Sequence, residues 1–281
     1  MKVLYSILAV LVFCNDGRVW AQKSFTNSIG MEFIRVEPGT MTVGEFAPPY
    51  PVPDDTVKGA DRPYTMWMGD GRPYSAAEFK LAEEMAKRDE SAGFQVRLDK
   101  PYYLGKFEVT QGQWKKIMGN NPSTFTAGPD ADSYPVEGVS WSDAKAFIKR
   151  LNNLEKTKRY RLPSEFEWEF AARAGAMKDI PWDQIQASAN LSKTSTTAVG
   201  SLQSNAWGFY DMLGNVWEWV EDYYNKKLFA DPIPPSRGKQ HVLKGASFTG
   251  DVKNATYMTH AAGPGNGWDI GFRVLVEPEG N

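Results

Sequence analysis

Cysteine is nearly absent: the 281-residue chain has one, Cys14. It lies in an N-terminal stretch where Lys2 gives a positive start and Val3 to Phe13 forms an apolar run too short to span a bilayer. Val19 and Ala21 then occupy the two positions at which a signal peptidase reads small residues. Residues 1–21 therefore read as a signal peptide cleaved after Ala21, giving a secreted, periplasmic or cell-envelope protein that is not transmembrane after cleavage. Two other readings exist. The run can be a buried N-terminal strand, or Cys14 can carry a lipid, against which bulky Phe13 stands where a small residue is expected. A chain beginning at Gln22 has no thiol, which excludes disulfides and thiol catalysis. Histidine is scarce too, with only His241 and His260. Excess charge of either sign is missing: 32 Lys and Arg against 34 Asp and Glu give a formal charge of -2, no electrostatic basis for nucleic-acid binding.

Aromatics are abundant, with 10 Trp, 12 Tyr and 15 Phe, enough for a substantial core. The 25 Gly and 18 Pro predict many irregular loops. Residues 27–46 alternate apolar and polar side chains about Pro38-Gly39 and predict a β-hairpin. Residues 47–95 read as an insertion: Pro, Gly and Asp without periodicity, then a charged helix-forming stretch at 75–89. A strand over 102–110 and a short helix over 111–119 follow. In 135–156, Ser140 and Asp143 have the spacing of a capping box at the head of a helix. "RLPSEFEWEFAARAG" (161–175) repeats that signal with Ser164 and Glu167, and Gly175 supplies a left-handed stop. Glu165, Glu167 and Glu169 read as first-turn acids that favour the helix dipole. Beyond Pro181 helical periodicity fades into short β-type runs. The pattern is a single α+β domain over 22–281, loop-rich in its second half.

Seven blocks occur in order: "FIRVEPGTMTVG", "YYLGKFEVTQGQW", "PVEGVSWSDAKAF", "YRLPSEFEWEFAARAG", "GFYDMLGNVWEWVEDYY", "LKGASF" and "IGFRVL". Together they resemble the sulfatase-modifying-factor domain of the formylglycine-generating enzymes. The resemblance implies an α+β fold, the formylglycine-generating-enzyme variant of the C-type lectin fold, rich in irregular structure. It also implies a structural Ca²⁺ held by the side chains of Asp211 and Glu218 and the carbonyls of Gly214 and Val216, hard oxygen donors that suit this ion. A second family calcium site would start at Asn190 and Leu191, but "SKTSTTAVG" supplies no carboxylate to complete it.

The family's oxidases carry two copper-binding cysteines in the loop after the motif that reads here "LKGAS". Gly250 and Ala255 stand at those positions, so no copper is expected, because soft thiolates are what select Cu(I). Iron-binding relatives use three histidines, more than this chain has. Ser247 with His260 or His241 is a conceivable hydrolytic set, although no G-x-S-x-G elbow supports it. A cysteine-independent modifying enzyme using Arg273, Asp251, Asp269 and His260 is the alternative enzymatic reading. The leading expectation is a non-oxidase binding or scaffold module, a pseudoenzyme. Its exposed C-terminal loop surface would offer Asn254, Tyr257, His260, Asn266, Trp268 and Asp269 to a carbohydrate, peptide or envelope-protein partner. Arg273 is expected to pair with a buried carboxylate.

Overall fold

The computed structural model describes residues 23–44, 93–180, 182–228, 233–250 and 255–279. The signal-peptide reading, almost all of the 47–95 insertion, and Asp251 and Asn254 lie outside the described residues. Among the described residues no helix is long and apolar enough to cross a membrane.

In chain order the elements are β1 (Ser24–Thr26), β2 (Glu32–Val36), β3 (Gly39–Val43), β4 (Phe94–Leu98), β5 (Tyr102–Gly105), α1 (Gln111–Met118), α2 (Trp141–Leu154), β6 (Tyr160–Arg161), α3 (Glu165–Arg173), α4 (Trp182–Ser188), β7 (Trp217–Tyr223), β8 (His241–Lys244), β9 (His260–Ala262), β10 (Ile270–Gly271) and β11 (Leu275–Val276). They form a five-stranded sheet in the order β1-β2-β5-β11-β6, a four-stranded sheet β10-β7-β8-β9, and the pair β3-β4.

The helix signals hold. Ser140 and Asp143 cap α2 reciprocally, as Ser164 and Glu167 cap α3, so each box satisfies two amides that lack intrahelical partners. Thr110 and Gln113 make a third box on α1, which ends at left-handed Gly119. Ala174 and Gly175 both take left-handed conformations after α3. One face of α2, formed by Ala144, Phe147, Ile148 and Leu151, is buried against Trp114, Leu162 and Phe272. The first strand of the 102–110 stretch is shorter than expected, since β5 stops at Gly105.

The hairpin expectation is corrected. β2 and β3 follow one another but do not pair: β2 lies between β1 and β5, and β3 pairs with β4. Alternation shows that a strand has a buried face but not which strand it pairs with. Pro38-Gly39 is instead the passage from one sheet to another, packed so closely that a Cβ on Gly39 would come within 2.6 Å of the Phe170 ring.

Candidate binding face at the sheet edge and the ion networks beneath it

In the four-stranded sheet β7 lies between β10 and β8, and this order brings two distant segments together. Asp269 immediately precedes β10, where its carbonyl accepts from the Trp217 amide at 2.8 Å. Ser247 follows β8 after a turn in which Gly245 and Ala246 both have positive φ (92° and 64°). A Cβ on Gly245 would meet the Trp168 ring at 3.0 Å and the Met212 carbonyl at 3.1 Å, so only glycine fits without displacement. The Ser247 hydroxyl donates to Asp269 Oδ2 at 2.8 Å and lies 2.9 Å from the Thr249 hydroxyl. Trp268 is 51% exposed, and its ring rests on Phe248 and Phe125 at centroid distances of 5.3 and 6.0 Å. Glu137 carries Phe125 there, accepting the Thr124 and Phe125 amides on Oε1.

Trp268 and Asp269 thus both pack on the segment after β8, Trp268 on Phe248 and Asp269 on Ser247, with exposed Asn266 two residues away. Tyr257 and His260 do not join them. Tyr257 is 3% exposed, its amide donating to Asp179 and its ring under the Arg173 guanidinium at 5.4 Å. His260 Nδ1 lies 3.0 Å from Glu165 Oε1. The single exposed surface expected from the polar, glycine-rich sequence is therefore split, because Tyr257 and His260 serve a buried network. The hydrolytic set is not assembled either: Ser247 is held by Thr249 and Asp269, and His241 is stacked between Trp141 (3.7 Å) and Tyr223 (4.2 Å).

That buried network was missed in the sequence. Lys244, fully buried, donates to Glu169 at 3.1 Å, lies 3.6 Å from Glu165, and stands over the Trp168 ring at 5.6 Å. Arg173 reaches back one turn to Glu169 through two hydrogen bonds. Glu165 and Glu169 are therefore interior ligands of cations, beyond the helix-dipole role expected of them. Burial pushes the Glu165 carboxyl up, but Lys244 and His260 together overcome this and hold it below the ordinary glutamate value. Asp222 accepts the Glu165 amide and is pushed up to about 6, first by burial. The available signals were the Glu169/Arg173 spacing and a lysine inside the apolar run "HVLKGASF".

A second network surrounds the proposed calcium residues. Arg273 is fully buried and forks onto Glu218 through Nε and Nη2, both at 2.6 Å, as its expected carboxylate pairing requires. Its remaining hydrogen bonds go to the carbonyls of Gly105, Tyr210 and Asp211. The Trp168 indole adds a third donor to Glu218 at 2.8 Å. Asp211, left-handed at φ 54°, accepts the Gly200 amide on Oδ2, while its buried Oδ1 has no hydrogen-bond partner. Burial pushes the Asp211 carboxyl up to about 6. Burial, then the charges of Asp211 and Glu218, push Glu108 well up. Of the neighbouring carboxylates Glu108, Asp211 and Glu218, only Glu218 pairs with the Arg273 guanidinium.

At the second family site, hydrogen bonds tie the loop together. The Asn190 amide donates to the Ser195 carbonyl and to Asn215 Oδ1, which also accepts the Thr197 amide. Gly214 lies against this loop so tightly that a Cβ would be 2.6 Å from the Asn190 carbonyl oxygen.

Gly250 and Ala255, which the family resemblance sets opposite the oxidase cysteines, are closely packed. A Cβ on Gly250 would come within 2.9 Å of the Ser247 carbonyl, and Ala255 is fully buried.

A sulfatase-modifying factor enzyme 1-like domain profile matches residues 26–278. The chain is 27% identical over 232 residues to the chaperone protein LppX of Paenibacillus barcinonensis, covering 62% of this chain and 79% of that one. It is 31% identical over 164 residues to the formylglycine-generating enzyme of Streptomyces coelicolor, covering 50% of this chain but only 49% of the enzyme. Among solved structures, Treponema denticola variable protein 1 superposes with a TM-score of 0.69 at 22% identity, covering 91% of this chain and 99% of that one. PvdO from Pseudomonas aeruginosa gives 0.65 at 24% identity, with 91% and 98% covered. These neighbours establish the formylglycine-generating-enzyme variant of the C-type lectin fold as the fold of this chain. With its profile match running from the first strand to beyond the last, the protein belongs to the sulfatase-modifying factor enzyme 1-like domain family.

Proposed function

We propose that this protein is a non-oxidase binding module of its family, which holds a ligand on the face formed by Trp268, Asp269, Ser247 and Phe125. The observation that carries this reading is the exposed Trp268 ring, set on Phe248 and Phe125 beside the Asp269 carboxylate that Ser247 orients. A large ring held in place loses little freedom on binding, and an adjacent acceptor gives direction. A relative named as a chaperone protein is consistent with a binding role in the family. Removing an aromatic anchor typically costs about 2 kcal/mol or more. A ligand found by glycan and peptide array screening should therefore bind Trp268→Ala roughly thirtyfold more weakly at an unchanged melting temperature. Undiminished binding to the variant would move the ligand off this face.

Calcium enters the same proposal as a structural ion. Asp211 Oδ1 is a buried acceptor without a donor, which fits a hard cation. The Gly214 and Val216 carbonyls would complete its set. Glu218 can contribute only by sharing with Arg273, since an ionised carboxylate has about four acceptor positions and three donors already use Glu218. A ligand that binds only the native state raises its stability. The melting temperature should be higher in Ca²⁺ than in chelator, and Asp211→Asn should abolish the difference. Identical melting curves in the wild type would remove calcium from the account.

A further inference from the structure

Among the described residues, the face around Trp268 carries carboxylates that no cation pairs with. Asp269 takes a hydrogen bond from Ser247 and a longer one from Thr249 at 3.5 Å. Glu137 lies close behind it, tied in by the Gly138 amide, which donates to the Gly267 carbonyl at 2.9 Å. Glu137 is fully buried; its Oε1 is used by the loop carrying Phe125, and its Oε2 has no hydrogen-bond partner. Among the described residues neither carboxylate has an ion-pair partner, unlike the interior glutamates Glu165, Glu169 and Glu218. Burial pushes Glu137 up, and the neighbouring Asp269 charge adds to that shift against the hydrogen bonds from Thr124 and Phe125. An acceptor buried beside a second carboxylate is costly unless something positive arrives.

We infer that this face takes a ligand bearing a cationic nitrogen, an ammonium or guanidinium, seated between the Asp269 carboxylate and the Trp268 ring. This rests on the proposed binding face and names the chemistry it selects. A weakly hydrated organic cation gains from both partners, because an indole face attracts it as a carboxylate does. A metal ion gains nothing from the ring, and among the described residues no group of three or more His, Cys, Asp or Glu is arranged to hold one. A neutral sugar could stack on the ring and donate hydroxyls to Asp269, but it would leave the carboxylate charge unneutralised.

The test uses the full chain, N-acetyl-arginine methylamide as the cationic probe, and its citrulline counterpart, which has the same shape without the charge. In ligand-observed NMR titrations the arginine probe should bind at least about tenfold more tightly than the citrulline one, the expected size of a charge-assisted contact. Asp269→Asn and Trp268→Ala should each remove most of that preference. Glu137→Gln should reduce it, since a glutamine carbonyl still accepts the Thr124 and Phe125 amides and keeps the loop in place. Equal binding of the two probes, or binding of neither, overturns the inference. So does Ca²⁺ displacing the arginine probe with undiminished affinity in Trp268→Ala, which would make the site a metal site. A neutral glycan that needs Trp268, with the arginine probe inert, would end the cationic assignment and leave the binding face standing. An array ligand indifferent to Trp268→Ala would end the face itself.

Discussion

Replacing Arg273 with methionine is expected to destabilise the protein by about 3–5 kcal/mol, enough to unfold many domains of this size. The side chain has no solvent exposure, and its loss leaves Glu218 charged in the interior with only the Trp168 indole to satisfy it. It would also release three carbonyls, at Gly105, Tyr210 and Asp211, that fasten β5 and the loop before β7 to the start of β11. Lysine should not rescue it, because a single ammonium cannot reproduce a planar fork at two carboxylate oxygens and three carbonyls. Adding Glu218→Gln to Arg273→Met should recover part of the loss, since the stranded charge is then gone. Urea unfolding of the two variants measures this. A single variant within 1 kcal/mol or so of wild type would mean the interior is wetter than the fold implies.

The second large effect is expected at Lys244. Its ammonium is the cation shared by Glu165 and Glu169, so Lys244→Met should cost roughly 3 kcal/mol at neutral pH. The pH dependence identifies the cause. Glu165 has its carboxyl lowered by Lys244 and His260 acting against burial. Its pairing therefore adds stability that is present above the ordinary glutamate value of about 4.3 and is lost as pH falls through the folded value. The gap between wild type and Lys244→Met should be widest near neutrality and should narrow in acid. Thermal melts across that range check it, and a gap independent of pH would show that packing rather than charge had been lost.

Both of these networks were poorly legible in the sequence, for one reason. Helix starts and stops are local, so Ser140 with Asp143 and Ser164 with Glu167 could be read directly, as could the stop near Gly175. Partners for interior charges are not local. Lys244 meets glutamates 75 and 79 residues earlier, and Asn215 meets Glu108 across 107 residues. Arg273 was readable as a buried ion-pair partner, but only the structure assigns Glu218 to it. The same limit explains the misplaced hairpin, where alternation marked β2 and β3 correctly and pairing sent them to different sheets. In the C-terminal loop the expected exposure holds for Asn266 and Trp268. Tyr257 and His260 looked equally exposed by composition and are drawn inward by Asp179 and Glu165. Glu137 and Phe125 complete the face from more than a hundred residues away and left no sequence signal of doing so.

On the proposed reading, a sulfatase-modifying-factor fold here binds a ligand without oxidising a thiol. Incubating the purified chain with copper, oxygen and a sulfatase-type cysteine peptide, then weighing the peptide by mass spectrometry, tests it most directly. With Gly250 and Ala255 in place of the two thiolates, the peptide should keep its cysteine and the protein should retain no stoichiometric copper. Conversion of that cysteine to formylglycine would contradict the claim.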